Sequence, residues 1–191
     1  RLVIARTLLN ADQNSEALKQ IELAAATPNR LSARDSLLVD AWHSTLTSPG
    51  TSLQKWKSLT TLYPDFYPAN GPYSYYAWCA NEYEAAINAA KFNIAPQNAN
   101  RGAGLYLLGI LYLGSENYID SLKEFQLAAD SGIGRNDFYA QLYSSQRRFQ
   151  QANVLLQESK PSGLAADDEG TELVRIALAA DQGRWEDAKL D

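Results

Sequence analysis

The stretch Leu105–Ala128, LYLLGILYLGSENYIDSLKEFQLA, decides the fold. Apolar residues fall at Leu105, Leu108, Leu111 and Tyr112, and again at Tyr118, Leu122, Phe125 and Ala128. Spacings of three and four put each set on one face of a helix, and the polar Gly114-Ser115-Glu116-Asn117 between them reads as a turn. Two short helices fold back on each other here, each with an apolar stripe too wide for its partner alone to cover. Such a hairpin must stack on another like it.

Self-similarity supports this reading. Ser121 sits three residues after Tyr118, with Phe125 four further on. The same frame recurs at Ala17 and Ile21, Ser52 and Trp56, Ala86 and Ala90, Ala152 and Leu156, and at Ala188. The small residues are 35, 34, 35, 31 and 36 positions apart. Tyr83, Tyr118, Phe149 and Trp185 each precede one of them by three. A small residue at a fixed place in a second helix lets the first approach closely, while the aromatic wedges the turn.

Gly109, Tyr112, Tyr118, Ser121, Phe125 and Ala128 give this stretch a pattern that resembles the tetratricopeptide repeat. Tyr143, Phe149 and Ala152 repeat it, as do Gly183, Trp185 and Ala188. The resemblance implies an all-α fold: an α-solenoid of five to six antiparallel helix pairs in a right-handed superhelix. The expected organisation is one repeat domain, 1–191, with units at about 1–29, 32–65, 68–97, 102–131, 135–160 and 168–191.

Along the chain, helices are predicted at Leu2–Leu9, Ser15–Ala26, 32–46 and 51–62. Ser32 with Asp35 three later reads as a helix start: a hydroxyl caps free N–H groups and a carboxylate complements the dipole. Pro64, Pro68 and Pro72 are expected to force an extended connection before helices near 73–80 and 83–94. Further helices are expected at 102–114, 117–131, 136–146 and 149–158, and over the apolar run Leu173–Ala180. Gly132-Ile133-Gly134 reads as a break, Lys160-Pro161-Ser162-Gly163 as a flexible joint, and Asp167, Asp168 and Glu169 as helix-start carboxylates. The chain begins at Arg1, contains no methionine and stops just after a helix start, and so reads as part of a longer protein.

Bulk properties exclude several classes of function. A hydrophobic content of 46% is that of a folded chain, and no apolar run nears the roughly 20 residues that span a bilayer. A net charge of -5 with scattered basic residues argues against nucleic acid as partner. One cysteine, Cys79, allows no internal disulfide. The composition leaves a cytoplasmic or a periplasmic setting open.

No catalytic constellation assembles. The one histidine, His43, has Asp40 three residues before it on the same helix face, where a carboxylate could orient an imidazole. No activated nucleophile or further metal ligand accompanies them. Cys79 reads as a small packing residue. Gly102-Ala103-Gly104 and Gly132-Ile133-Gly134 follow no strand and lack a Lys-Ser/Thr continuation, so they read as helix breaks rather than phosphate loops. No cofactor or metal is expected.

Tyr63, Phe66, Tyr67, Tyr73, Tyr75, Tyr76, Trp78 and Tyr83 form an aromatic cluster interleaved with proline. Its rings either cover a long connection between repeats or line a groove. In the tetratricopeptide family the first helix of each unit faces the concave side. The resemblance places Tyr75 and Trp78, then Tyr106, Ile110 and Leu113, then Asp137, Gln141 and Ser144 on that wall. It implies a non-catalytic interaction module that holds a protein or peptide segment, of a partner or of another domain of the same protein. Leu31–Asp65, with LSARDSLLVDAW leading to LYPD, is similar to repeat regions attached to bacterial serine/threonine kinases, cyclases and winged-helix regulators. That similarity implies a signalling role. A helical scaffold for an enzyme active site elsewhere in a longer chain, and a small-molecule sensor, are the other classes considered.

Overall fold

Five of the hairpins predicted from the frame of small residues form; the second helix of the one at Ala188 does not appear among the described residues. The computed structural model describes residues 1–159 and 165–188; these contain eleven α-helices and no strand. The helices are α1 (Leu2–Asn10), α2 (Asn14–Ala25), α3 (Ala33–Thr47), α4 (Pro49–Leu62), α5 (Tyr67–Cys79) and α6 (Tyr83–Asn93). They continue with α7 (Arg101–Gly114), α8 (Tyr118–Asp130), α9 (Asn136–Ser145), α10 (Phe149–Glu158) and α11 (Ala165–Asp181). Consecutive helices pair as α1–α2, α3–α4, α5–α6, α7–α8 and α9–α10. The chain divides into two compact units, Arg1–Asn98 and Ala99–Asp191.

At the heart of each hairpin lies the predicted small residue. Ala17, Ser52, Ala86, Ser121 and Ala152 are all 0% exposed. Opposite them on the first helices stand Ala5, Ala41, Ser74, Gly109 and Ala140, all buried. Small-on-small contacts bring the two helix backbones together. The Ser121 hydroxyl donates across the gap to the Gly109 carbonyl at 2.8 Å, and the Ser74 hydroxyl to the Ala86 carbonyl at 2.8 Å. One turn beyond the small residue come Ile21, Trp56, Ala90, Phe125 and Leu156, all buried. Each large side chain of this set contributes about 1.5–3 kcal/mol by leaving water.

The turns repeat as closely as the helices. Asp12, Asn81, Glu116, Arg147 and Gly183 have φ of 54°, 63°, 59°, 61° and 72°, the left-handed conformation. In each case the next residue's N–H reaches back to a first-helix carbonyl: Gln13 to Leu8, Glu82 to Ala77, Asn117 to Tyr112, Arg148 to Tyr143 and Arg184 to Ala179, at 2.8–2.9 Å. This closure satisfies carbonyls the helix end leaves free. In the last four turns the left-handed residue stands two before the wedge aromatic. The α3–α4 hairpin departs from the pattern, since only Ser48 separates its helices and Pro49 opens α4. Proline fits there because a first-turn N–H has no intrahelical acceptor to lose.

Unit 1 has a core of Ile21, Leu38, Trp42, Trp56 and Leu59, on which Tyr63, Phe66, Tyr73 and Tyr76 pack. The Trp56 indole N–H donates to the Thr45 hydroxyl at 3.0 Å. Ser32 caps α3 as expected, accepting from the Asp35 N–H at 3.1 Å. Unit 2 has two neighbouring clusters, Phe125 with Phe138 and Leu142, and Ala140 with Ala152, Leu156, Val174 and Leu178.

Two expectations are overturned here. Gly102-Ala103-Gly104 does not break a helix but lies within the first turn of α7. The segment with Pro68 and Pro72 is not an extended connection, because α5 starts at Tyr67 and runs through both. Pro68 occupies the first turn, where its ring costs nothing. Pro72 loses one backbone bond, but the residue before it is Gly71, which has no Cβ to clash with the proline ring. Packing offsets the loss: Ala69 and Ala77 are fully buried, and Asn70 donates to the Pro64 carbonyl at 3.0 Å. The aromatics from Tyr67 to Trp78 therefore ride on a helix. The proposed joint at 160–163 lies outside the described residues. Asp167, Asp168 and Glu169 fall within the first five residues of α11.

Candidate functional site

α5 carries no charged residue from end to end. Its buried side is set by Ala69, Asn70, Ser74 and Ala77, which leaves Tyr75 and Cys79 on the open side and Trp78 half-buried at its edge. Tyr75 is 47% exposed. Its ring meets Tyr76 edge-on at 5.3 Å and Trp78 edge-on at 6.1 Å. Such perpendicular pairs follow the quadrupole preference of aromatic rings and hold one another in place. The Cys79 thiol, one turn on, is the main influence raising the Tyr75 hydroxyl above its usual 10, through its charge and a hydrogen bond, with burial next. Cys79 is exposed, not a packing residue, because the buried face of α5, set by Ser74 and Ala77, leaves position 79 on the open side.

Tyr106, Ile110 and Leu113 lie at i, i+4 and i+7 on α7 and are half-buried against Phe125, Phe138 and Leu142. The Tyr106 ring lies 4.2 Å from Phe138 and 6.4 Å from Phe125, so it forms the rim of a stacked aromatic group. Asp137, Gln141 and Ser144 repeat the spacing on α9. Asp137 is 2% exposed and bound on both oxygens by Arg135, Nε to Oδ1 at 3.1 Å and Nη2 to Oδ2 at 2.7 Å. The same guanidinium lies 4.7 Å over the Phe138 ring. Gln141 is half-buried, and Ser144 donates to Asp181 on α11 at 2.9 Å. The α7 and α9 residues thus meet in unit 2 through Tyr106 and Phe138. Tyr75 and Trp78 belong to unit 1.

His43 and Asp40 do not work together. Asp40 pairs with Lys55 on α4 at 2.6 Å, while the His43 Nδ1 lies 3.3 Å from the Thr47 hydroxyl. Among the described residues no group of three or more histidine, cysteine, aspartate or glutamate side chains could hold a metal ion. No described helix is long and apolar enough to cross a membrane. Sequence reasoning missed the Arg135–Asp137 pair, although Arg-Asn-Asp at the start of a helix is a legible signal for it.

No family model matches the chain, and no curated protein matches it by sequence. Among solved structures it is similar to PilF of Pseudomonas aeruginosa, with a TM-score of 0.64 and 14% identity over 97% of this chain and 84% of that one. The likeness is one of fold, and the fold they share is a tetratricopeptide-like stack of helical hairpins.

Proposed function

We propose that the chain is a non-catalytic interaction module that holds a segment of another protein, or of another domain of its own, against the open faces of its first helices. The supporting observation is Tyr75: a large aromatic left 47% exposed on an uncharged helix, with its ring orientation fixed by Tyr76 and Trp78. A rigid aromatic with a polar tip gives contact area at low entropic cost. In unit 2 the wall Tyr106, Ile110 and Leu113, flanked by the half-buried Gln141 and Ser144, passes from apolar to polar and suits an extended segment with apolar anchors, while Asp137 is sealed against Arg135 and stands behind that wall. The fold is one that generally mediates protein–protein contact. The likeness of Leu31–Asp65 to repeat regions of bacterial kinases, cyclases and winged-helix regulators favours a regulatory or sensory portion of a signalling protein.

A displayed peptide library panned on the purified chain tests this reading. Enriched peptides, resynthesised and titrated by fluorescence anisotropy, are expected to lose at least tenfold in affinity for the Trp78→Ala, Tyr106→Ala double variant, about 1.4 kcal/mol. Peptides that bind wild type and variant equally defeat the assignment of the faces.

A further inference from the structure

Two acidic side chains are buried among the described residues, and they are treated differently. Asp137 has Arg135; Glu124, only 7% exposed, has a sealed Oε2 with no hydrogen-bond partner. Glu124 shares one stripe of α8 with Ser121, three before it, and Ala128, four after it, which are 0% and 1% exposed. The Ser121–Gly109 bond ties that stripe to α7.

The charges around Glu124 do not neutralise it. On its own helix Lys123 is exposed, and Asp120 is bonded by the Asn117 side chain at 2.7 Å. From the start of α7, Arg101 contributes the smallest of the influences on the group. The charges that open α9, which also packs on α8, are Arg135 and Asp137, and they bond each other. A carboxylate in this position can complete its hydration only by drawing water to Oε2. Admitting that water requires the packing over the Ser121–Glu124–Ala128 stripe to loosen.

We propose that Glu124 is a proton-operated latch on the α7–α8 hairpin: neutral, it lets the pair close, and ionised, it loosens the pair. Burial is the largest influence on the group and raises it above the ordinary 4.5; Lys123 opposes, Asp120 reinforces and Arg101 opposes. The folded chain therefore holds this proton more tightly than the unfolded chain. The latch contributes fully below about pH 4.5, the unfolded value, and its contribution is lost as pH rises through the raised folded value.

Two measurements on the whole chain test the latch. The Glu124 side-chain carboxyl, assigned in a ¹³C spectrum by its disappearance in Glu124→Gln, is expected to titrate above 4.5. Amide exchange in α8, corrected for intrinsic rates, is expected to lose protection as pH rises through that midpoint in wild type. Glu124→Gln should not show this loss, and amides of α3 should respond alike in both. A midpoint at or below 4.5, or the same pH response of α8 with and without the carboxyl, overturns the proposal. Should Glu124→Gln fail to fold, the wild-type titration, with assignment through the Glu124 backbone, decides alone.

Discussion

Replacing Gly109 with alanine adds one methyl group where two helices cross. An ideal Cβ there would lie 2.5 Å from both Cδ1 and Cε1 of Phe125 and 3.3 Å from its Cγ. Carbon atoms in contact settle at about 3.5–4.0 Å, so the ring or the helix must move by about 1 Å. Phe125 has nowhere to go: it is 3% exposed, with Phe138 at 5.8 Å and Tyr139 at 5.9 Å. Parting α7 from α8 instead would stretch the Ser121–Gly109 bond. Overpacking of this kind costs about 1–3 kcal/mol, and the higher helix propensity of alanine returns up to about 1 kcal/mol. The net expectation is a loss of about 1–2 kcal/mol, or about 2–8 °C in Tm for a chain of this size.

Urea denaturation followed by far-ultraviolet circular dichroism measures the loss. Phe125→Leu, combined with Gly109→Ala, relieves the clash, so the double variant should show a coupling of about 1 kcal/mol or more. Gly50→Ala is the control, since a Cβ there meets nothing within 4 Å; it should leave stability unchanged or raise it. A Gly109→Ala protein as stable as wild type, or zero coupling with Phe125→Leu, would refute the steric argument for the frame.

Ser52 and Ser121 occupy the same place in the repeat but differ in bonding. Ser121→Ala gives up the bond to the Gly109 carbonyl and should cost about 1 kcal/mol, while Ser52→Ala removes a buried hydroxyl that has no partner and should be neutral or stabilising. Equal losses at both sites in denaturant titrations would contradict the assignment. Arg147→Gly frees an exposed left-handed residue at φ 61° from Cβ strain and should raise stability by about 0.5–1 kcal/mol, less the chain entropy that glycine adds. A lowered Tm would show that the arginine side chain contributes something beyond its backbone.

The repeat was legible because it rests on steric need alone. Where two helices cross closely, only small residues fit, and Ala17, Ser52, Ala86, Ser121 and Ala152 mark those crossings in the sequence. The α5 segment was misread because proline acts as a breaker only in some positions. Pro68 in a first turn and Pro72 behind Gly71 are both tolerated, and that depends on where the helix begins. Pairings such as Asp40 with Lys55, or Ser144 with Asp181, join residues from separate helices, and spacing along one helix does not reveal them. The burial of Glu124 arises from the stripe it shares with Ser121 and Ala128, and its residue type alone does not signal it.

The left-handed turn residue has a consequence for how such a chain can diversify. Aspartate, asparagine, glutamate, arginine and glycine all occupy this one backbone address. Each hairpin tip can therefore exchange a negative for a positive side chain, or for none, while the same two carbonyls remain satisfied. Charge can be rewritten at the tips one hairpin at a time, without disturbing the crossings that hold the helices together.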